Sequence, residues 1–428
     1  MNILLTGANG FLGRYLLASL VTAGHNVIPA VRRPAETDRL LPAPASIAVD
    51  FNRDTQPEDW VPRLAGIDVV INCSGILQGR LGQSIQAIHA DAPKALFTAC
   101  KIVGIKRVIQ ISAISAEAGA GTAYAETKRD ADDYLATTDL DWVILRPSLV
   151  YGEGAYGGTA LFRAFAALPF VLPLIGRGEQ VFQPIHIDDV SATILALLAD
   201  PSIRHKVIDP VGAETLTLRQ ILIDLRRWLG YAPARIVEVP LILIKITAKI
   251  GDIVGGPVNT TALRQLAFGN VGDSAAFIKS TGIQPRRWHA ALLARPSQAQ
   301  DRWHARMYFL RPLLRWALAI MWLVSGIVGV VQPAKITIPL MAGFGLSGVA
   351  AQSAVWMTCV GDIAIGIALL SRWKQSWVCV IQLAFVAAYT IGLSLTQPAL
   401  WLDLFGPILK NVPIMAAILV LAAVEPDR

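Results

Sequence analysis

The chain has 428 residues, 54% of them apolar and only 16% charged, a formal charge of +7 and a mean hydropathy of +0.50. These values exclude a disordered chain, a fibrous repeat and a disulfide scaffold. They also place part of the chain in lipid, because soluble domains run nearer a quarter charged.

In chain order, strands are predicted at Asn2–Thr6, Asn26–Val31, 46–50, 68–72, 107–112 and 142–146. Helical patterns over 11–23, 85–103 and Ala123–Ala136 fill the gaps. Alternation on this spacing implies an α/β fold, a doubly wound parallel (Rossmann) sheet whose ligands bind at the carboxyl ends of its strands. Residues 153–180 and 200–300 are left to build a small substrate lobe, which makes 1–300 one domain. The opening reads as a strand and not as a signal peptide, since the apolar run 3–5 is cut at once by Thr6-Gly7. Residues 240–254 are strongly apolar, with Lys245 and Lys249 on one side. They suit lobe packing, a roof over the site or a membrane-surface helix.

Composition changes near residue 300. Four apolar runs follow, 313–331, 348–370, 376–395 and 404–424, and predict a four-helix transmembrane bundle over 303–428. Seven arginines (Arg286, Arg287, Arg295, Arg302, Arg306, Arg311, Arg315) stand at the approach to the first run against a single acid, Asp301. Arg372 and Lys374 lie between the second and third runs, whereas the other loops carry little beyond Lys335. The positive-inside rule then predicts a multi-pass protein of the cytoplasmic membrane, with both termini and residues 1–300 in the cytoplasm. Asp362 falls inside the second run and Lys410 early in the fourth. A carboxylate there is paired or functional, and the two are candidate partners. No nucleic-acid reading motif accompanies the basic excess, so nucleic acid is not an expected partner. Cys73, Cys100, Cys359 and Cys379 form no C-x-x-C pair and no His/Cys cluster, so no metal is expected.

The first turn reads Thr6-Gly7-Ala8-Asn9-Gly10-Phe11-Leu12-Gly13, between a strand and an amphipathic helix. Glycines there allow a tight turn and bring backbone N–H groups to a pyrophosphate at the helix N-terminus. Gly7, Asn9, Gly10, Phe11, Leu12 and Gly13 are therefore candidate cofactor contacts. NAD-specific sites end the second strand on an acid that holds the ribose 2′-hydroxyl. Here it ends Val31-Arg32-Arg33-Pro34. Arg32 suits a 2′-phosphate, so NADP(H) is expected in preference to NAD(H). Asp50, after the third strand, suits an adenine contact. Cys73, Ser74 and Gly75, after the fourth, suit a turn beneath the cofactor.

Tyr124-Ala125-Glu126-Thr127-Lys128 places a phenol and an ammonium on one helix face. Such an ammonium holds the cofactor ribose and helps a tyrosine, whose unperturbed pKa is about 10, to give up its proton near neutrality. The spacing alone is a weak signal, and its place on the helix after the fifth strand strengthens it. Ser112, with Ser115 close behind, is the candidate hydroxyl partner.

Together with Arg146-Pro147-Ser148-Leu149-Val150-Tyr151-Gly152 and Gln183-Pro184-Ile185-His186-Ile187-Asp188-Asp189-Val190, these motifs resemble the extended and atypical short-chain dehydrogenase/reductases over roughly residues 1–295. The resemblance implies nicotinamide dinucleotide binding, with Pro147 at the cofactor, and leaves the substrate open. The chain looks most like the atypical, epimerase/dehydratase-like branch that includes the nucleotide-binding accessory subunit of respiratory complex I. That branch binds NADPH, and some of its members have lost catalysis. Residues 303–428 resemble the DoxX-like four-helix membrane family, through Gly361-Asp362, Gly406-Pro407 and Lys410-Asn411-Val412-Pro413.

The leading expectation is a membrane-anchored NADP(H)-dependent oxidoreductase acting on a lipophilic carbonyl, alcohol or quinone-like substrate, with Tyr124 as acid/base and Lys128 as its helper. The alternatives are a non-catalytic NADPH-binding structural or sensing subunit of a membrane complex, and an NAD-dependent epimerase or dehydratase of a nucleotide sugar. Expected partners are the small substrate and membrane lipid, with membrane proteins or a second copy of the chain as further candidates.

Overall fold

The computed structural model of the chain describes every residue except 39–44, 80–81, 118–119, 155, 255, 333–337, 339–340, 372–373, 405 and 426–428. Lys335 and Arg372, two of the charges used above for topology, lie outside the described residues. The chain divides into two units, Met1–Ala305 and Arg306–Arg428.

In the first unit, seven strands form one parallel sheet: β1 (Asn2–Thr6), β2 (Asn26–Val31), β3 (Ile47–Ala48), β4 (Val69–Asn72), β5 (Arg107–Ile111), β6 (Asp141–Leu145) and β7 (Lys206–Ile208). Their order is β7-β6-β5-β4-β1-β2-β3. The chain winds one way from β1 and the other way from β4, which opens a crevice at the carboxyl ends of these two neighbours. Both sheet faces are apolar, as a parallel sheet covered on both sides requires. Ile3, Leu5, Ile71, Ile109 and Val143 face α1 (Phe11–Thr22) and α4 (Ile187–Ala199) through Leu16, Leu20, Ile194 and Leu197. The alternate residues Leu4, Val70, Val108 and Ile144 face α2 (Ala92–Val103) and α3 (Ala123–Ala136) through Leu96, Phe97 and Leu135.

The structure departs from the sequence reading in three places here. β3 is two residues long, because the Asp50 N–H donates to Asp54 Oδ2 (2.6 Å) and turns the chain away. The helix expected over 85–103 contains a π-helical turn, Ala87–Asp91, ahead of α2. Residues 200–300 do not all belong to the lobe: β7 pairs with β6, and Phe277 joins the core beside Ile194. The lobe itself is built on three short pairs, Val150–Tyr151 with Ile185–His186, Val181–Phe182 with Leu216–Thr217, and Val171–Ile175 with Arg235–Val239.

The arginine run also reads differently. Arg286 pairs with Asp188 (2.5 Å) and Asp189 (3.2 Å), Arg287 with Glu214 (2.6 Å), and Arg295 with Asp188 (2.9 Å) and Glu153. These three charges hold α4 and the lobe together, so they are not a free cytoplasmic flank.

Four helices carry the second unit's apolar runs: α5 (Ala299–Val331), α6 (Gly348–Ser371), α7 (Gln375–Thr396) and α8 (Asn411–Val424). The first three are long and apolar enough to cross a membrane. The fourth is not, which corrects the expected four-span bundle. With 14 residues α8 spans only about 21 Å, against a hydrocarbon core of about 30 Å. Its helix cannot start at 404, because Gly406 sits at φ +51° and Pro407, which follows, biases its predecessor away from helix. Leu318, Trp322, Ile365, Leu369, Val386 and Leu421 form the unit's core. Asp362 accepts from Ser325 Oγ (2.8 Å) and Tyr389 Oη (3.0 Å), whereas Lys410 is exposed. The proposed Asp362–Lys410 pairing is therefore replaced by two neutral donors from α5 and α7.

Candidate active site

The site begins with a platform at the crevice. Thr6, at the end of β1, is fully buried and donates to Asn72 Oδ1 (2.5 Å), while Asn72 Nδ2 donates to Gln110 Oε1 (2.7 Å). The Cys73 N–H closes the network on Thr6 Oγ1 (3.1 Å). Three strand ends are thereby locked under the turn that follows β1.

Gly7 has φ +65°, and a Cβ on it would stand 2.9 Å from Cys73 O. A Cβ on Gly13 would stand 2.1 Å from Gly7 O. The Gly10 N–H donates to Gly7 O (2.9 Å), and Gly10 caps α1 without any side-chain bond to its first N–H groups. The first turn of α1 carries no acid. The cradle is thus closed to side chains and lined by N–H donors, which is the shape and polarity a pyrophosphate requires.

The other candidates surround it. Asn9 is exposed, and its carbonyl accepts from Arg14 Nε (3.1 Å). The Phe11 ring stacks on Tyr156 (6.1 Å) and meets Tyr15 edge-on (5.5 Å), while Leu12 packs on the core. Arg32 is exposed at the end of β2, and its guanidinium lies 2.7 and 3.2 Å from the Gln83 carboxamide, whose oxygen is assigned to the arginine side because only that orientation lets the guanidinium donate to it. Neighbouring Arg33 is held by Glu36 (3.1 Å). Asp50 is half-buried and accepts from the Asn52 N–H (3.0 Å). Burial pushes the Cys73 thiol up to about 12. The Ser74 N–H donates to Asn72 Oδ1 (3.4 Å), and Pro147 O accepts from the Ile114 N–H (3.1 Å).

Tyr124 and Lys128 lie one turn apart on α3, whose N-terminus Thr122 caps by accepting from the Ala125 N–H (3.2 Å). Lys128 is buried and donates to Ile111 O at the end of β5 (2.9 Å). A Cβ on Gly75 would stand 3.2 Å from Lys128 Nζ, which brings the β4 exit against the ammonium. Burial pulls the Lys128 pKa down, opposed by Asp132 and Cys73. Tyr124 departs from expectation: burial, with Asp132 adding to it, pushes its hydroxyl up to about 12. In this environment desolvation of the phenolate is the largest cause, and the Asp132 carboxylate acts in the same direction. Ser112 is buried and gives its hydroxyl hydrogen to Asp132 Oδ2 (2.7 Å), which also accepts from Arg146 Nε (3.0 Å). Ser115 is buried as well.

His89 was not among the expected residues. It lies on the π-helical turn, buried, with its ring edge-to-face against Tyr124 (5.3 Å). Its Nε2 accepts from the Ile76 N–H (3.0 Å). Thr127 donates its hydroxyl to Ala123 O (2.6 Å), so His89 Nδ1 carries the hydrogen shared with Thr127 Oγ1 (3.0 Å). Burial and the Lys128 charge hold His89 neutral, with its pKa down at about 2. The sign follows from linkage. The unfolded imidazole binds a proton below about 6.5 that the folded one refuses, so His89 costs about 2 kcal/mol at pH 5 and almost nothing above pH 7. His89→Gln, which keeps an acceptor for Ile76, should flatten that part of the stability profile in thermal melts of the full chain. An unchanged acid limb would show that His89 is not the group responsible.

Residues 7–201 match the NAD(P)H-binding family model, and residues 319–419 match the DoxX-like family model. The chain joins an NAD(P)H-binding domain to a DoxX-like domain. It is 28% identical over 240 residues to a ceramide reductase of Caulobacter vibrioides, covering 56% of this chain and 73% of that one. It is 30% identical over 257 residues to mitochondrial NADH dehydrogenase (ubiquinone) 1 alpha subcomplex subunit 9 of Arabidopsis thaliana, covering 58% of this chain and 62% of that one. In fold, it is similar to the UDP-glucuronic acid 4-epimerase of Bacillus cereus solved with UDP-glucuronic acid and NAD. The TM-score is 0.52 at 21% identity, over 72% of this chain and all of that one. The first domain is thus of the NAD(P)H-binding kind, and the second is a DoxX-like domain with helices of membrane-crossing length.

Proposed function

We propose that this chain is a membrane-anchored NAD(P)H-dependent oxidoreductase that reduces a lipophilic carbonyl or quinone-like compound, or oxidises the corresponding alcohol. The observation that carries this is the convergence of Tyr124 and Lys128 beside the glycine cradle, with Lys128 Nζ against Gly75 and at hydrogen-bond distance from Ile111 O. When bound, NAD(P)H supplies a hydride. Tyr124 gives its phenol proton to the substrate oxygen, and the Lys128 ammonium stabilises the phenolate that remains. His89 braces the tyrosine ring, and Ser112 serves chiefly to hold Asp132.

Several findings favour a lipophilic substrate and a membrane setting. The ceramide reductase relative is named for a lipid, and the second unit carries three helices of membrane-crossing length. Arg315 and Glu425 pair at 3.2 Å, so the start of the apolar stretch in α5 and the end of α8 lie at one end of that unit. This suits a multi-pass protein of the cytoplasmic membrane in which α8, though short of a full span as a helix, brings the chain back to the end where the apolar stretch of α5 begins, with that end and the NAD(P)H-binding domain in the cytoplasm. Membrane proteins or a second copy of the chain remain the candidate protein partners.

Arg32, with no acid at the end of β2, favours NADP(H). A charge-assisted contact to the 2′-phosphate contributes about 1.5–3 kcal/mol, so Arg32→Ala should weaken NADPH about 10- to 100-fold and leave NADH nearly unchanged. Equal weakening of both, measured by fluorescence titration, would remove the 2′-phosphate role.

A second reading, a cofactor-holding subunit without turnover, is favoured by the 30% identity to the NADH dehydrogenase subunit. The nucleotide-sugar alternative has the fold likeness to the epimerase behind it. The detergent-solubilised full chain separates them. NADPH consumption on addition of carbonyl lipids or quinones supports the reductase, whereas stoichiometric cofactor retention without consumption supports the subunit.

A further inference from the structure

The helix Leu241–Val254 turns its isoleucines outward. Ile242, Ile246, Ile250 and Ile253 are between 51% and 86% exposed, and their spacing (i, i+4, i+8, i+11) puts them on one face. The opposite face is anchored, because Ala248 and Gly251 are buried and a Cβ on Gly251 would stand 1.8 Å from Val258 O. Lys245 and Lys249 are exposed, one turn apart, along the edge of the apolar face. Lobe packing therefore accounts for the anchored side only. A contiguous bare apolar face marks an interaction surface, and an apolar face edged by lysines fits a bilayer with anionic headgroups. The same chain carries three helices of membrane-crossing length, so a bilayer is tethered to this unit by its own sequence.

The helix also borders the candidate site. Asp252 accepts from Gln78 Nε2 (3.3 Å), in the segment that leaves Gly75. The next helix, Thr260–Phe268, sends Gln265 Nε2 to Thr122 Oγ1 (2.6 Å), and Thr122 caps α3 two residues ahead of Tyr124.

We infer that Leu241–Val254 docks in the headgroup layer of an anionic bilayer, isoleucines inward, and holds the rim of the Tyr124 site at the lipid surface, so that lipophilic substrate enters from the membrane. The docking rests on this face alone, and the entry route rests also on the reductase reading above.

The test uses the full chain reconstituted in phosphatidylcholine vesicles with and without phosphatidylglycerol. Spin labels are placed by Ile246→Cys, Ile250→Cys and Ile253→Cys, with Glu58→Cys as a solvated control. Docking predicts that the three labels collide severalfold more with oxygen, relative to a water-soluble nickel complex, than the control does. Lys245→Glu with Lys249→Glu should lower the docked population in anionic vesicles, by about fivefold or more for each lysine lost. Labels reached freely by nickel would overturn the inference in favour of a solvated helix. Labels reached by neither probe would overturn it in favour of a protein cover, whether this chain's own helices or a partner. Label depth does not depend on turnover, so a docked helix on a protein that consumes no NAD(P)H would sink the reductase reading and leave docking standing.

Discussion

Tyr124→Phe is expected to lower turnover about 10²- to 10⁴-fold, the usual contribution of a positioned general acid, while NADPH affinity stays within about twofold because no cofactor contact is lost. The ring remains against His89, and only the hydroxyl goes. The direction of the reaction sharpens the test. Carbonyl reduction needs the phenol, and burial pushes that phenol's pKa up to about 12, so the acid form persists through and above neutrality. Reduction should therefore be nearly flat with pH on the alkaline side. Alcohol oxidation needs the phenolate and should rise about tenfold per pH unit over the same range. Steady-state rates in both directions across that range, for the natural chain and the variant, check this. A variant that retains its rate, or an oxidation rate that ignores pH, would take the proton from another group.

The local signals were legible in the sequence, and the long-range ones were not. Gly7, Gly10 and Gly13 fall within seven residues of one turn-to-helix junction, and Tyr124 and Lys128 lie about one helical turn apart, so their spacing reports their geometry directly. β1, β2 and Ala123–Ala136 end where the patterns place them. His89 gave no such signal. It faces Tyr124 because a π-helical turn changes the angular phase of its helix, and apolar periodicity does not register one extra residue per turn. Gln110 reads as one polar residue in a strand until Thr6 and Asn72, from two other strands, meet it. Arg286 and Arg295 read as part of a membrane flank because their acids, Asp188, Asp189 and Glu153, lie about a hundred residues or more away in sequence. In the last unit, hydropathy marked the apolar run to Val424 but not where a helix could start. The Gly406-Pro407 step decided that.

The second large effect is expected at Gly13. A methyl group there would meet Gly7 O at 2.1 Å and Ala8 Cα at 2.7 Å, both backbone, so no side chain can swing aside. Gly7 cannot retreat freely, since its own α-carbon faces the Cys73 carbonyl and its φ is +65°. Gly13→Ala must therefore either push the Gly7–Gly10 turn out of place or leave α1 strained against it. Overpacking of this kind costs about 1–3 kcal/mol. If the turn moves, the N–H groups aimed at the pyrophosphate move with it, and NADPH affinity falls about 10- to 100-fold at little loss of stability. If the turn holds, affinity survives and the melting temperature falls by several degrees. Gly10→Ala is the internal comparison. Its methyl would stand 3.1 Å from Gly7 O, a distance a shift of a few tenths of an ångström relieves, so it should be the milder variant by both measures. Fluorescence titration with NADPH and thermal melts on the two variants give the ranking. Gly13→Ala matching the natural chain in both would mean that the closeness of α1 to the turn is not what shapes the cradle, and the assignment of the pyrophosphate to these glycines would fall with it.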